Sequence, residues 1–164
     1  MGVQTRPVVL ADHTLLREYL HLAIFVPPGA EAPPASIVDR PELTIYVDGW
    51  GRYGDDGVMA IDDTTGEDVG AAWLRLWPGP ETGYAYVDRA TPELSMAVRP
   101  AHRGRGIGTC LLDALTDRAS TRHRAISLSV GRLNPAVQLY QRFGFRVIAA
   151  SDDTFTMRLT FTER

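Results

Sequence analysis

Residues 103–108 read Arg-Gly-Arg-Gly-Ile-Gly and stand directly before an amphipathic run. Glycine leaves backbone N–H groups open to close approach, and a helix start presents unpaired N–H donors at the positive end of its macrodipole. The two arginines add charge and forked donors that suit phosphate oxygens. The chemistry this predicts is the binding of a phosphorylated ligand, a pyrophosphate above all. Two phosphate motifs do not fit. A Walker loop needs Gly-x-x-x-x-Gly-Lys-Ser/Thr, and no lysine stands there. A dinucleotide turn needs Gly-x-Gly-x-x-Gly, and counting from Gly104 the third glycine falls on Thr109. What remains is Arg103-x-x-Gly106-x-Gly108.

The other reactive residue types are less eloquent. His13, His21, His102 and His123 are isolated in sequence, without the spacing of a metal motif, so no metal is expected. His102 precedes the loop and reads as a surface or phosphate-facing residue rather than a base. Cys110 is the single cysteine, and helical spacing puts it on the apolar side of the next helix as a buried, inert thiol. Asp55-Asp56 and Asp62-Asp63 read as turns.

These residues need elements to position them. Residues 5–10 suit a short strand, and Asp12 can cap a helix bearing Leu15, Leu16, Tyr19, Leu20, Ala23 and Ile24. Pro27, Pro28 and Gly29 stop it, and residues 41–50 form either a second short helix with Pro41 in its first turn or a strand. Residues 58–61 and 69–77 read as an antiparallel hairpin, residues 78–91 as a loop, and residues 93–98 as a strand running into the glycines. The helix after them buries Ile107, Leu111, Ala114, Leu115 and Ala119. A strand at 125–130 follows, and Asn134-Pro135 then signals a helix carrying Val137, Leu139, Tyr140 and Phe143, stopped by Gly144. The last strand alternates Phe155, Met157, Leu159 and Phe161 with polar residues. The order β-α-α-β-β-β-α-β-α-β-β predicts an α/β or α+β layered domain with a mixed sheet.

At 164 residues the chain fits one domain, residues 1–164, and its net charge of −3 argues against general nucleic-acid binding. Residues 20–26 are too short to span a membrane, and no basic stretch with an apolar run opens the chain, so a cytoplasmic location is expected.

The loop resembles the acetyl-coenzyme A loop of the GNAT superfamily of N-acetyltransferases, written Arg/Gln-x-x-Gly-x-Gly/Ala. Its flanks strengthen the resemblance. Residues 92–100, Pro-Glu-Leu-Ser-Met-Ala-Val-Arg-Pro, look like the family's fourth strand. Residues 127–130, Asn134-Pro135-Ala136 and residues 139–145 look like its fifth strand and fourth helix. The N-terminal half resembles the family more loosely.

The resemblance implies a mostly antiparallel central sheet flanked by helices, with one splayed strand pair that takes the pantetheine arm. Carried over residue by residue, it assigns the pantetheine to the backbone of Met96 and Val98. The pyrophosphate falls to the N–H groups of Arg103, Gly104, Arg105, Gly106, Ile107 and Gly108, with support from Asn134. It implies acetyl transfer from acetyl-CoA to an amine by direct attack in a ternary complex. Tyr140 becomes the general acid near the sulfur, Glu93 a base acting directly or through water, and the N–H of Val98 an oxyanion donor. The alternative is an inactive acyl-CoA-binding sensor or regulatory module, which has no need of an acid at 140. Homodimers are common in the family, though nothing in the chain sets the oligomeric state; no membrane or nucleic-acid partner is implied. The acceptor region offers Tyr46, Trp50, Tyr53, Trp73, Arg75, Tyr84, Tyr86 and Asp88, with Trp73 better suited to the core and Asp88 or Glu93 to an ammonium. A small amine, an amino acid, an antibiotic and a protein N-terminus all remain open.

Overall fold

A computed structural model describes residues 2–162. Seven strands form one sheet: β1 Val3–Pro7, β2 Asp56–Asp62, β3 Asp68–Arg75, β4 Glu93–Val98, β5 Ala125–Gly131, β6 Arg146–Ala150 and β7 Thr154–Thr160. Their spatial order is β1-β2-β3-β4-β5-β7-β6. Every neighbouring pair is antiparallel except β4 and β5. Four helices accompany them: α1 His13–Ala23, α2 Pro41–Thr44, α3 Ile107–Ser120 and α4 Ala136–Arg142. This is the expected element order, and the mixed sheet between helical layers makes it an α/β fold.

Strand alternation supplies two cores, one on each face. Val58, Ala60, Ala72, Leu74 and Leu94 meet α3 through Leu111, Leu112 and Leu115. Met59, Ala71, Trp73 and Ala97 turn the other way and meet Leu16, Tyr19 and Leu20 of α1. A central strand buried on both faces reads as a continuous apolar run rather than an alternating one, as β2 does at 58–61. Among the described residues no helix is long and apolar enough to cross a membrane.

Three local expectations change. Asp12 precedes α1 but does not cap it. Its carboxylate turns back to the N–H of Val9 and both terminal nitrogens of Arg6, each at 2.8 Å, a charge-assisted pair that outcompetes a neutral helix N–H. Cys110 is exposed rather than buried. The buried stripe of α3 runs Ile107, Leu111, Leu115 and Ala119 and widens toward Leu112, on the side away from Cys110. Helix α2 ends at Thr44, and turns with Gly49 and Gly51 at positive φ carry the chain onward to β2.

Candidate active site

Strands β4 and β5 begin as neighbours and then part. Among the described residues they pair at one position, Glu93 opposite Ser127, with the Ser127 N–H donating to the Pro92 carbonyl at 3.0 Å. On the other side β4 stays paired with β3 along its whole length, and the Arg99 N–H donates to the Val69 carbonyl at 2.8 Å. Backbone groups alternate in direction along a strand. Residues 93, 95, 97 and 99 therefore bond to β3; Leu94 faces the last paired position of β5, and Met96 and Val98 aim their groups into the split. A peptide-like arm lying there could pair with β4 as an added strand.

The split leads to the glycine loop, whose three glycines do different work. Gly104 and Gly106 have φ of +76° and +78°, and a Cβ built on either would meet no atom within 4 Å. Both need glycine for their backbone conformation, and both leave an open face where a ligand can reach the N–H groups. Gly106 is the N-cap of α3. Gly108 is different: a Cβ there would stand 3.1 Å from Leu139 Cδ2 and 3.6 Å from Met96 Cε. Its task is close packing of α3 against α4 and β4. Arg103 Nε donates to the Val98 carbonyl at 3.2 Å, and Arg105 donates to His102 Nδ1 at 2.5 Å. His102 is thereby held at the loop and does not line the cavity described next.

A cavity of about 680 Å³ occupies the split and opens toward the end of α1. Glu93, Met96, Asn134 and Tyr140 line it together. Tyr140 belongs to the core on the α3 face, whereas Tyr46 and Trp77 beside Glu93 belong to the core on the α1 face. The gap in the sheet thus joins the two faces.

Glu93 is 2% exposed and accepts three hydrogen bonds. The Tyr46 hydroxyl donates to Oε2 at 2.5 Å, while Trp77 Nε1 and the Ala85 N–H donate to Oε1 at 3.1 Å each. Burial pushes its carboxyl pKa up, and these donors hold it back only in part. The loop before β4 closes over it: a Cβ on Gly83 would fall 2.3 Å from Glu93 Oε1 and 2.6 Å from the Tyr46 hydroxyl. Ser127 Oγ ties the same loop down by donating to the Ala85 carbonyl at 2.7 Å. Tyr140 is also buried, edge-on to Phe145, and burial raises its pKa. Its hydroxyl has no hydrogen-bond partner among the described residues, and the residue lines the cavity. Asn134 accepts from the Ala136 N–H through Oδ1 at 2.9 Å, the cap expected of it, and the residue lines the cavity.

A parallel pair that parts after one position, a glycine loop with open backbone faces, and a cavity lined by a buried tyrosine and a buried glutamate stand on consecutive stretches of this chain. An acetyltransferase (GNAT) domain model matches residues 54–147, more than half of the chain. The chain belongs to the GNAT acetyltransferase family. No curated protein matches it. Among solved structures, yncA from Salmonella typhimurium with its cofactor acetyl-CoA is 22% identical over 100% of this chain and 96% of its own, with a TM-score of 0.70. A GCN5-related N-acetyltransferase from Kribbella flavida is 23% identical over 97% of this chain and 98% of its own, at TM-score 0.64. The phosphinothricin acetyltransferase of Sinorhizobium meliloti, in complex with AcCoA, is 20% identical over 98% of this chain and 89% of its own, at TM-score 0.68. At such identities the likeness is one of fold.

The GNAT fold here gathers some of the expected acceptor residues and disperses others. Tyr46 and Tyr84 line the cavity, stacked with centroids 6.4 Å apart. Trp73 is core, and its Nε1 donates to the Tyr46 carbonyl at 3.0 Å. Arg75 is 1% exposed, paired with Asp55 at 3.0 Å and donating to the carbonyls of Ile45 and Asp48, so it braces the turns before β2. Asp55 is thus a buried ion-pair partner rather than a plain turn residue. Trp50, Tyr53 and Tyr86 do not line the cavity, and Tyr53 is 95% exposed. Asp88 caps its own turn at Ala90 and Thr91 and borders a separate pocket with Arg122 and Arg124. Sequence reasoning did not find Ile24 and Phe25 after α1, or Asp152 and Asp153 at the β6–β7 turn, as cavity residues. No local motif marks them.

Proposed function

We propose that this acetyltransferase moves an acetyl group from acetyl-CoA to an amine by direct attack in a ternary complex. Acetyl-CoA would supply the activated thioester. The observation that carries this reading is the parting of β4 from β5 after Glu93, which leaves an unpaired β4 edge between the Glu93–Tyr140 cavity and the open-faced Gly104 and Gly106. That arrangement fits a long ligand with an anionic end and a peptide-like arm. The N–H groups of residues 103–108 would hold the pyrophosphate, and Met96 and Val98 the pantetheine, with Asn134 in support.

An incoming amine is mostly protonated near neutral pH, so a base has to take a proton before attack. Glu93, with its raised pKa and hydrogen-bonded fixation, suits that task directly or through a water. Tyr140 keeps its proton at neutral pH and can give it to a departing thiolate. The Val98 N–H, at the end of β4, can meet negative charge developing on an acyl oxygen. A cavity-lining tyrosine whose hydroxyl has no partner among the described residues favours turnover over a binding-only module. The test is thermal stabilisation by acetyl-CoA against NAD and ATP, followed by thiol release across amines. A rise in Tm with acetyl-CoA alone is expected; a response only to NAD or ATP overturns the reading.

A further inference from the structure

We infer that the acceptor is an amine with an apolar substituent and no carboxylate beside the amine. This inference rests on the acetyl-transfer reading and concerns the end of the cavity facing α1. Its first support is an accounting of buried carboxylates. Asp12 pairs with Arg6, Asp55 with Arg75 and Asp56 with Arg118. Asp62 is held by the N–H groups of its own turn, Thr64 and Thr65. Glu93 is buried, borders a cavity and has only neutral donors among the described residues. A buried carboxylate without a counter-cation gains most from a ligand that brings one.

The second support is the wall facing it. Leu20, Ala23, Ile24 and Phe25 contribute one side, and Ile37 and Leu43 another. These six side chains carry no hydrogen-bonding group, so that side of the cavity rewards an alkyl or aryl substituent. The third is charge. The charged residues lining the cavity are Glu93, Asp152, Asp153 and Arg132, and the Arg132 guanidinium lies over the Phe155 ring, 4.7 Å from its centroid. Three carboxylates against one engaged guanidinium attract an ammonium and oppose an α-carboxylate.

The experiment is steady-state thiol release at saturating acetyl-CoA with ethylamine, butylamine, hexylamine, phenethylamine, phenylalanine and spermidine, alongside thermal shift with acetyl-CoA alone. The expected kcat/KM rises about threefold to fourfold per buried methylene along the alkyl series. Phenethylamine should exceed phenylalanine by about tenfold or more, since the two differ only in the carboxylate. Ile24→Asn should erase much of the hexylamine advantage over ethylamine. A flat alkyl series, or phenylalanine or spermidine as the best acceptor, overturns the inference. If acetyl-CoA stabilises the protein while one of those results is found, only the acceptor assignment falls. If acetyl-CoA neither stabilises it nor turns over with any amine, the donor reading falls as well.

Discussion

The two halves of the proposed site are built on opposite plans. The half assigned to the cofactor comes from one stretch of chain, residues 93–140, and would work through backbone: a strand edge, a glycine loop and a helix start. The half assigned to the acceptor draws side chains from α1, from the segment around α2, from the loop before β4 and from the β6–β7 turn. Backbone recognition needs glycine and a particular local geometry, so it leaves a motif. Side-chain walls need only apolar residues at points that tertiary packing brings together, and many sequences serve. Within one fold, then, the donor site can stay constant while the acceptor site is redrawn.

The sharpest way to break that division is to ask which kinetic constant each half controls. The largest effect is expected from Glu93→Gln, a fall in kcat of about 10²–10⁴-fold if its carboxylate is the base. The base must be ionised, so kcat/KM should climb with pH through a value above the ordinary glutamate range, because burial raises this pKa. The glutamine variant should lose that limb; an unchanged profile removes Glu93 from the mechanism. Tyr140→Phe should lower kcat by about 10–100-fold with acetyl-CoA affinity preserved, as measured by calorimetry. A normal rate would show that Tyr140 is only a core aromatic.

Gly106→Val should act on binding instead. A β-branched residue is strained at a φ of +78°, and its side chain would cover the open face of the loop. We expect the acetyl-CoA Kd to rise by about tenfold or more, since the strain alone is on the order of 1–2 kcal/mol. Wild-type affinity in that variant would refute the loop's role. Gly108→Ala sharpens the contrast between neighbouring glycines. Its Cβ meets the flexible end of Leu139 rather than ligand space, and the helix gain of about 1 kcal/mol for alanine opposes that crowding, so the expected outcome is a stability within about 1 kcal/mol of wild type by denaturant unfolding and an unchanged acetyl-CoA Kd. The smallest effect concerns Asp12, whose pKa is lowered by its pairing with Arg6. A lowered carboxylate contributes stability above its unfolded pKa, and that contribution disappears as pH falls through the folded value. Asp12→Asn should therefore flatten part of the acid-side fall in Tm. An equally steep fall would mean the pair contributes nothing.

Periodicity and glycine placement made most elements legible. The β2–β3 hairpin, helix α3, the Asn134 cap and the Gly144 stop all appear where spacing put them. Asp12 and Cys110 were misread because a cap and a helix face depend on competitors outside the local window: Arg6 on β1 in one case, the exact width of the α3 contact in the other. Arg75 and Asp88 looked available to a substrate as isolated residues. Arg75 is spent inside an ion pair and Asp88 on a turn, which only their neighbours reveal.

What the sequence by itself determined is the family and the glycine loop on which the donor reading rests, because residues 103–108 state in glycines and arginines what backbone conformation and charge they need. Tertiary structure decided the parting of β4 from β5 after Glu93, the hydrogen-bonded burial of that glutamate beneath Gly83, and the apolar wall opposite it. Those features join segments more than a hundred residues apart, from Leu20 to Asp153, and no local preference of either segment encodes the distance between them.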